Sequence, residues 1–505
     1  MARRKLTEQT LAGMLWMGYG KAAFAILQLV VLAILARLVS PLDFGVVSAA
    51  LVVIGFSSIV SQLGLGPAIV QRRTLETRHL TAAFVASVLL GLTLGAIVWT
   101  SAPLAARFMR LDGLAPVLRA LAWVFLLNGL GTVSSALLSR ELRFSWLANL
   151  DVASYGIGYG AIGIATALLG WGVWALVAGQ LGQALIRNGI LLAKHPPPLP
   201  LSLERSALND LVYFGGGFTI AKLANYAAVT GDSVVTGRFL GATALGYYGR
   251  AYSLMSAPAY AFGAVLDVVL FPAMARVQDD PERLAAAYRR GVALIAIVVL
   301  APSATILLLA PEVVRVLLGT KWAGVVAPFQ ILAIGMLFRT SYKMSDSIAR
   351  STGAVYRRAW RQILYAGLVV LGAWIGQRWG VSGVALGSLA ALTINFFLMA
   401  GLSLDVAHIS WRDFAAAHRP AVLLTLCSFP VALGAAVVAR GVAAPAVVVL
   451  IAAGLAQLLL CGWLIWRYPE VFLGKDGQWM MDTLGGFLRG RSAPSLEPAE
   501  PRADS

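Results

Sequence analysis

Fourteen apolar stretches, each about the length of a membrane-spanning helix, leave this chain few alternatives to a helical membrane bundle. They run from residues 12–36 to residues 444–466, and each holds roughly 20 apolar residues. Of the 505 residues, 59% are hydrophobic and only 12% are charged, about half the charged fraction of soluble proteins. The sequence therefore predicts an all-α polytopic membrane protein with about 14 transmembrane helices.

An internal repeat divides these stretches into two sets of six. Shifting the sequence by 201 residues superimposes Lys21 on Lys222, Arg37 on Arg238 and Gly45 on Gly246. Because six is an even number, both copies insert the same way up, which predicts two six-helix lobes in a parallel repeat plus two extra C-terminal helices. We assign 1–193 to the N-lobe (spans 1–6), 194–211 to a cytoplasmic Pro-rich linker, 212–403 to the C-lobe (spans 7–12), 404–466 to spans 13 and 14, and 467–505 to a cytoplasmic, partly disordered tail.

The distribution of basic residues predicts the orientation. Most of the 40 Lys and Arg residues lie in the segments that share a side with the amino terminus. Since cytoplasmic loops are enriched in Lys and Arg, both termini are expected in the cytoplasm of a bacterial cell, with the chain in its inner (plasma) membrane. This bias explains the net charge of +17 without nucleic acid. In one inward loop, Asp280 and Pro281 predict the start of a short amphipathic helix on the inner leaflet.

Charged residues within the spans are the candidate functional groups. In span 10, Arg339, Lys343, Asp346 and Arg350 follow the spacing i, i+4, i+7, i+11 and so share one helix face. Asp346 can pair with Lys343 and Arg350. Arg350 lies near enough to the membrane surface for its side chain to reach the inner interface instead.

Lys21, Lys222 and Arg339 lie too deep in their spans for their side chains to reach the membrane surface. A charge at the depth of Lys21, Lys222 or Arg339 costs about 2.5–3.5 kcal/mol against lipid, so we place them, with Lys343, in a hydrated cavity between the lobes. There they suit an amphiphile with an anionic headgroup, because phosphates bind Arg and Lys strongly in a low-dielectric site. The acids Asp232, Asp267 and Asp346 are either ion-coupling carboxylates or charge partners of these cations. For Arg119 and Arg250 a structural role is an equal alternative.

Sequence signatures of enzymes are missing. The chain has no phosphate-binding loop, no HExxH, no paired CxxC and no nucleophile elbow. Its four histidines are scattered over inward loops, so we expect no metal site and no cofactor. The longest outward loops are too short for a catalytic domain. We therefore expect a transporter rather than an enzyme, with a membrane glycosyltransferase or polymerase as the weaker alternative.

Several stretches resemble a known transporter family. They are LARLVSPLDFGVVSAALVVIGFSSIVSQLGLGPAIVQRR, GDSVVTGRFLGATALGYYGRAYSLMSAP and VLFPAMARVQDD. They resemble Wzx-type lipopolysaccharide and exopolysaccharide biosynthesis flippases, in the polysaccharide-transporter branch of the multidrug/oligosaccharidyl-lipid/polysaccharide (MOP) exporter superfamily.

The resemblance implies alternating access and transport of a polyprenyl-diphosphate-linked oligosaccharide from the inner to the outer leaflet. It implies that Lys21, Lys222 and Arg339 bind the diphosphate. The expected partners are this lipid-linked oligosaccharide, the lipid bilayer and, as further candidates, polysaccharide polymerase and export machinery. The alternative within the superfamily is an ion-coupled exporter of drugs or small amphiphiles that uses Asp232.

Overall fold

The computed structural model describes residues 24–62, 65–72, 74–198, 204, 225–257, 259, 274 and 277–479. These residues form helices and loops, with no β-strand among them. The helices are α1 (Phe24–Leu38), α2 (Pro41–Gln62), α3 (Leu65–Gln71), α4 (Thr77–Met109), α5 (Leu114–Leu121), α6 (Trp123–Arg140), α7 (Phe144–Tyr155), α8 (Ile164–Leu168), α9 (Val173–Lys194), α10 (225–257), α11 (Pro281–Leu317), α12 (Val326–Ile334), α13 (Met336–Ser351), α14 (Val355–Gly376), α15 (Gly380–Val406), α16 (Trp411–Gly441), α17 (Ala446–Arg467) and α18 (Pro469–Phe472). A π-helical segment, Gly156–Gly163, joins α7 to α8, and short 3₁₀ turns, Thr320–Val325 and Gln377–Trp379, precede α12 and α15.

Seven helical stretches in the described residues are long and apolar enough to cross a membrane. An eighth candidate is the pair Thr320–Ile334 and Met336–Ser351, which bends by 45° at its break. One of the seven stretches, Tyr356–Val406, is 51 residues long and contains both α14 and α15. The helical membrane fold is thus confirmed, whereas the number of fourteen spans stays a prediction.

The predicted surface helix at Pro281 is wrong in its extent. A helix does begin there, and the Asp280 carboxylate accepts a hydrogen bond from the Arg283 N–H at 3.1 Å, as a helix cap does. However, α11 then continues without interruption from Pro281 to Leu317. The polar first turns and the following apolar span are one 37-residue helix, because nothing between them ends the backbone hydrogen bonding.

The chain divides into two compact units, each assembled from separate segments. The first unit comprises residues 1–253, 317–328 and 362–388, and the second comprises 254–316, 329–361 and 389–505. The lobe and linker boundaries inferred from the repeat stay predictions.

In the first unit, α3, α4 and α6 enclose a core of small and aliphatic side chains. Its buried members are Leu65, Ala68, Ile69, Ala83, Phe84, Ala86, Val133 and Ala136. Arg140 closes the end of this core, because its guanidinium donates to the carbonyls of Ile69 at 2.8 Å and Arg72 at 2.5 Å. These bonds satisfy carbonyls at the C-terminal end of α3 that the helix itself leaves open.

The sequence repeat reappears in the first unit as a reciprocal contact. Gly45 of α2 lies so close to the Ala242 carbonyl that a Cβ would overlap it, and Gly246 of α10 lies equally close to the Pro41 carbonyl. Gly45 and Gly246 are one repeat apart, as are Pro41 and Ala242. A reciprocal contact between equivalent residues is what a local two-fold relation produces. Only glycine lets two backbones approach this closely.

In the second unit, polar contacts fasten the last two long helices to α11. Arg440 of α16 forms a bidentate pair with Glu312, with donor–acceptor distances of 2.8 and 2.9 Å. On α17, the Gln457 amide donates to the Ala301 carbonyl at 2.9 Å. Such bonds hold helices together in lipid, where burial of apolar surface gives no driving force for their association.

Candidate functional site

Three of the seven predicted site residues, Lys21, Lys222 and Asp267, lie outside the described residues. The other four, Asp232, Arg339, Lys343 and Asp346, fall into two groups. Asp232 belongs to the first unit, and the remaining three lie on α13 in the second unit. Each group is a separate polar site with its own chemistry.

The α13 site is a charged stripe along a largely buried helix. Arg339 and Asp346 are only 9% and 8% exposed, Lys343 is half-buried and Arg350 is exposed. This order follows from the spacing: the stripe runs along one face of α13, and its last residue reaches the helix end. The stripe therefore carries positive charge from an exposed end into the protein interior.

Asp346 is the acceptor at the centre of this stripe. It forms ion pairs with Arg350 at 3.1 Å and with Arg358 of α14, and it accepts a hydrogen bond from the Tyr342 hydroxyl at 3.3 Å. The expected pair with Arg350 is present. Two guanidinium groups around one carboxylate leave a net positive charge, as an anion-binding surface requires.

Arg358 is a member of this site that sequence reasoning missed. It falls in the segment between two predicted spans, where an arginine indicates only the cytoplasmic side. In the structure α14 begins at Val355, so Arg358 lies in its first turn and extends to Asp346. No local sequence signal indicates this pair, because it depends on the packing of α14 beside α13.

Asp232 occupies a different environment. It is 2% exposed, and its Oδ1 accepts from the Ser233 N–H at 2.7 Å. Its Oδ2 accepts from the Tyr248 hydroxyl at 2.5 Å and the Ser388 hydroxyl at 3.3 Å. No cation forms an ion pair with it among the described residues. Hydroxyl groups and a backbone N–H thus stabilise the Asp232 carboxylate in place of a positively charged side chain.

A turn in α10 creates this site. Along a straight helix, the 16 residues from Asp232 to Tyr248 would span about 24 Å. Gly241 has φ 88°, a left-handed conformation that glycine adopts readily, and the chain turns back there. Tyr248 is thereby placed beside Asp232, and α15 contributes Ser388.

The hydrogen bonds at Asp232 can be satisfied in two protonation states. If the carboxylate is ionised, the Tyr248 and Ser388 hydroxyls both donate to it. If it is protonated, it donates to Tyr248, whose hydroxyl then donates to Ser388 across the observed 2.9 Å. Uptake or release of a proton therefore needs only rotation of two hydroxyl groups.

The oxygen atoms at Asp232 are also the kind that monovalent or hard divalent cations prefer, although the site offers one carboxylate only. Among the described residues, no three His, Cys, Asp or Glu side chains come together in a way that could hold a metal ion. The Asp232 site is thus suited to a proton or a weakly held cation.

The family is shown by comparison with known proteins. The sequence profile of a family described as polysaccharide biosynthesis protein matches residues 34–327, more than half of the chain. The chain belongs to this family. The predicted likeness to polysaccharide biosynthesis proteins is confirmed.

Curated relatives carry related names. WzxC, a lipopolysaccharide biosynthesis protein of Escherichia coli (strain K12), is 26% identical over 409 residues, which cover 78% of this chain and 80% of WzxC. TuaB, a teichuronic acid biosynthesis protein of Bacillus subtilis (strain 168), is 24% identical over 355 residues, covering 69% of this chain and 72% of TuaB.

Solved structures establish the fold of this family member. The lipid II flippase MurJ in an inward closed conformation is similar with a TM-score of 0.72 and 12% identity, over 89% of this chain and 99% of the MurJ chain. An inward-facing multidrug resistance MATE transporter of the MOP superfamily is similar with a TM-score of 0.62 and 18% identity, over 77% and 96%. This multi-pass membrane protein thus has the fold of the MOP transporters.

Proposed function

We propose that the chain is a flippase that moves a polyprenyl-diphosphate-linked oligosaccharide repeat unit from the inner to the outer leaflet of the bacterial inner membrane. The product serves lipopolysaccharide or exopolysaccharide biosynthesis, and transport follows alternating access with both termini in the cytoplasm. Membership of the polysaccharide biosynthesis family supports the pathway. The names of WzxC and TuaB, and the likeness of fold to a lipid II flippase, agree with it.

The observation that carries the proposal is the charged stripe on α13. Its cations outnumber its acid, it continues from an exposed end into the interior, and the one carboxylate is already shared by two arginines. A diphosphate headgroup entering from the cytoplasm meets this positive surface first. Guanidinium groups bind phosphate oxygens through paired, charge-assisted hydrogen bonds, which are stronger in a site with little water.

In this proposal Arg339 and Lys343 bind the diphosphate, together with Lys21 and Lys222. Asp346 holds Arg350 and Arg358 in place beside them. Asp232 is the coupling carboxylate, and its site supports a proton or a monovalent cation as the coupling ion. The lipid tail stays in the bilayer, so only the polar headgroup needs a path through the protein.

Removal of the proposed phosphate ligands tests this function. We expect Arg339→Gln to reduce polymer export about tenfold to a hundredfold, because a charge-assisted hydrogen bond contributes about 1.5–3 kcal/mol. Arg339→Gln combined with Lys222→Ala should abolish export. The measurement is polymer released by cells whose own flippase gene is deleted, with membrane abundance of each variant determined in parallel.

Arg412→Ala is the matched control, because Arg412 is exposed at the start of α16. Full export by the double variant at normal abundance would contradict the proposal. A drug-efflux assay in a hypersensitive host separates the alternative: resistance conferred by the chain, and lost in Asp232→Asn, would favour an ion-coupled multidrug exporter.

A further inference from the structure

The reciprocal glycine contact of the first unit joins α2 to α10, two helices that carry equivalent positions of the sequence repeat. We name it the glycine clasp: Gly45 and Gly246 with the carbonyls of Pro41 and Ala242. A third repeat-related pair continues it, because a Cβ on Gly249 would lie 3.6 Å from the Ser48 hydroxyl. The predicted orientation places the clasp toward the outer face of the membrane.

An aromatic cluster lies beside the clasp. Trp322 is fully buried, and its indole N–H donates to the Ala36 carbonyl at 2.7 Å. Its ring packs edge-on against Phe44 at 5.3 Å and against Tyr247 at 6.2 Å between ring centroids. Phe44 and Tyr247 are the chain neighbours of Gly45 and Gly246. We name Phe44, Tyr247 and Trp322 the aromatic plug, since α2 and α10 cannot separate without breaking its contacts.

The Arg250 side chain packs against the Phe44 ring of the aromatic plug. The Arg250 guanidinium carbon lies 4.9 Å from the centroid of the Phe44 ring. Its Nε is buried and has no hydrogen-bond partner. The Tyr155 and Tyr159 side chains lie nearby, and no carboxylate forms an ion pair with Arg250 in the described part of the chain.

Two less buried arginines of this chain have carboxylate partners, which Arg250 lacks among the described residues. Arg358 is paired with Asp346, and Arg440 holds Glu312 through two hydrogen bonds. A cation–π contact alone compensates only part of the hydration that a buried guanidinium loses. The Arg250 guanidinium therefore keeps the capacity to bind an anion.

We propose that Arg250 is an anion site that controls the aromatic plug. A phosphate oxyanion of the transported lipid binds the guanidinium and draws it off the Phe44 ring. Phe44 then no longer has its cation–π partner, the Phe44–Trp322 contact loosens, and the glycine clasp opens outward. This inference rests on the proposed function, because it takes the transported diphosphate as the anion. It makes opening depend on the arrival of the headgroup.

The chemistry favours a phosphate over a carboxylate drug or a neutral sugar. The planar guanidinium offers parallel N–H donors that match two oxygens of one phosphate group. The neighbouring Tyr155 hydroxyl can donate to a further phosphate oxygen without adding charge, whereas the Tyr159 hydroxyl already donates to Gln180. In the described residues around Arg250 no acid competes for the guanidinium, so anion binding breaks no ion pair.

A disulfide across the clasp reports its opening. A Cβ at position 249 would lie 3.6 Å from the Ser48 Oγ, so cysteines placed by Ser48→Cys and Gly249→Cys put a sulfur within short reach of the facing side chain, as disulfide formation requires. The native Cys427 and Cys461 are first replaced by alanine. The full-length protein in lipid nanodiscs is treated with a mild oxidant, and the rate of cross-linking is measured alone, with inorganic pyrophosphate, and with a short-chain prenyl diphosphate.

We expect the prenyl diphosphate to slow cross-linking at least fivefold in the Arg250 protein and to leave Arg250→Gln unaffected. Arg250→Lys should recover part of the response. Slowing by pyrophosphate as well shows that the phosphate group suffices, and slowing by the prenyl diphosphate alone assigns the site to lipid-linked anions. Equal slowing in the Arg250 and Arg250→Gln proteins, or no slowing by either probe, overturns the proposal.

A second variant keeps the proposal testable if Arg250→Gln does not fold. Phe44→Leu removes the cation–π partner while Arg250 remains, so cross-linking without ligand should already be several-fold slower. An unchanged basal rate in Phe44→Leu argues against control of the plug by Arg250.

A flipping assay in vesicles, with a lipid-linked oligosaccharide as substrate, separates the two proposals. If the Cys-free parent protein does not flip the substrate but the cross-linking response depends on Arg250, the anion site stands and the proposed function fails. If the Cys-free parent protein flips the substrate and the cross-linking response does not depend on Arg250, only the proposed anion site fails.

Discussion

Asp232 in the first unit and Asp346 in the second are both buried acids in a membrane protein, yet they have different kinds of partners. Asp346 is held by two guanidinium groups and a tyrosine hydroxyl. Asp232 is held by an N–H and three hydroxyls, with no cation at ion-pairing distance among the described residues. Burial alone therefore does not indicate what a membrane carboxylate does.

The two sites differ in the number of charge states that each one can accommodate. Removal of the charge at Asp346 takes away the carboxylate that Arg350 and Arg358 both contact, so that site favours one charge state and a fixed geometry. At Asp232 the hydroxyl network accommodates both protonation states. We therefore propose that Asp346 positions the cationic stripe and that Asp232 couples transport to an ion, and three variants test this contrast.

The largest effect is expected for Asp346→Ala. Removal of one partner from a buried ion pair costs about 3–5 kcal/mol, and here the side chains of Asp346 and Arg358 are only 12% and 25% exposed. Thermal unfolding of the purified protein in detergent should show a lower melting temperature by many degrees. The control is Asp405→Ala, which removes the exposed Arg357–Asp405 pair between α14 and α15 and should cost less than about 1 kcal/mol. Equal losses in the two variants would contradict the positioning role.

An intermediate effect is expected for Asp232→Asn. The amide keeps the shape, still accepts from the Ser233 N–H and can donate to Tyr248, so the stability should change by only about 1 kcal/mol. Transport into vesicles should, however, lose its response to an imposed proton or sodium gradient. A variant that folds and still responds to the gradient would remove Asp232 from the coupling role.

The smallest effect is expected for Ser388→Ala. Its bond to Asp232 is long, at 3.3 Å, so the loss in stability should be about 0.5 kcal/mol. Ser382→Ala on the same helix is the control, because Ser382 is half-buried and forms no side-chain hydrogen bond in the described region. If Asp232 is the coupling site, Ser388→Ala should also shift the ion concentration at which transport is half-maximal, whereas Ser382→Ala should not.

Much of the fold was predictable because its signals are local. Apolar length and basic-loop bias predict a helical membrane protein, and the equivalence of Gly45 and Gly246 in the repeat precedes their reciprocal contact in the structure. The predicted surface helix failed because a helix begun by Asp280 and Pro281 meets no stop before Leu317. The exact number of spans and the roles of Lys21, Lys222 and Asp267 stay predictions.

The amino-acid sequence alone thus determined that this protein lies in a lipid membrane and that it is helical. It also determined the internal repeat and which charged residues lie within the apolar stretches. Only the tertiary structure decided which partners those charges have. Ser388 lies 156 residues from Asp232, and Trp322 lies 286 residues from Ala36. Hydrophobic period and span length depend on neighbouring residues, whereas a hydrogen bond between distant helices depends on how those helices turn and pack against each other.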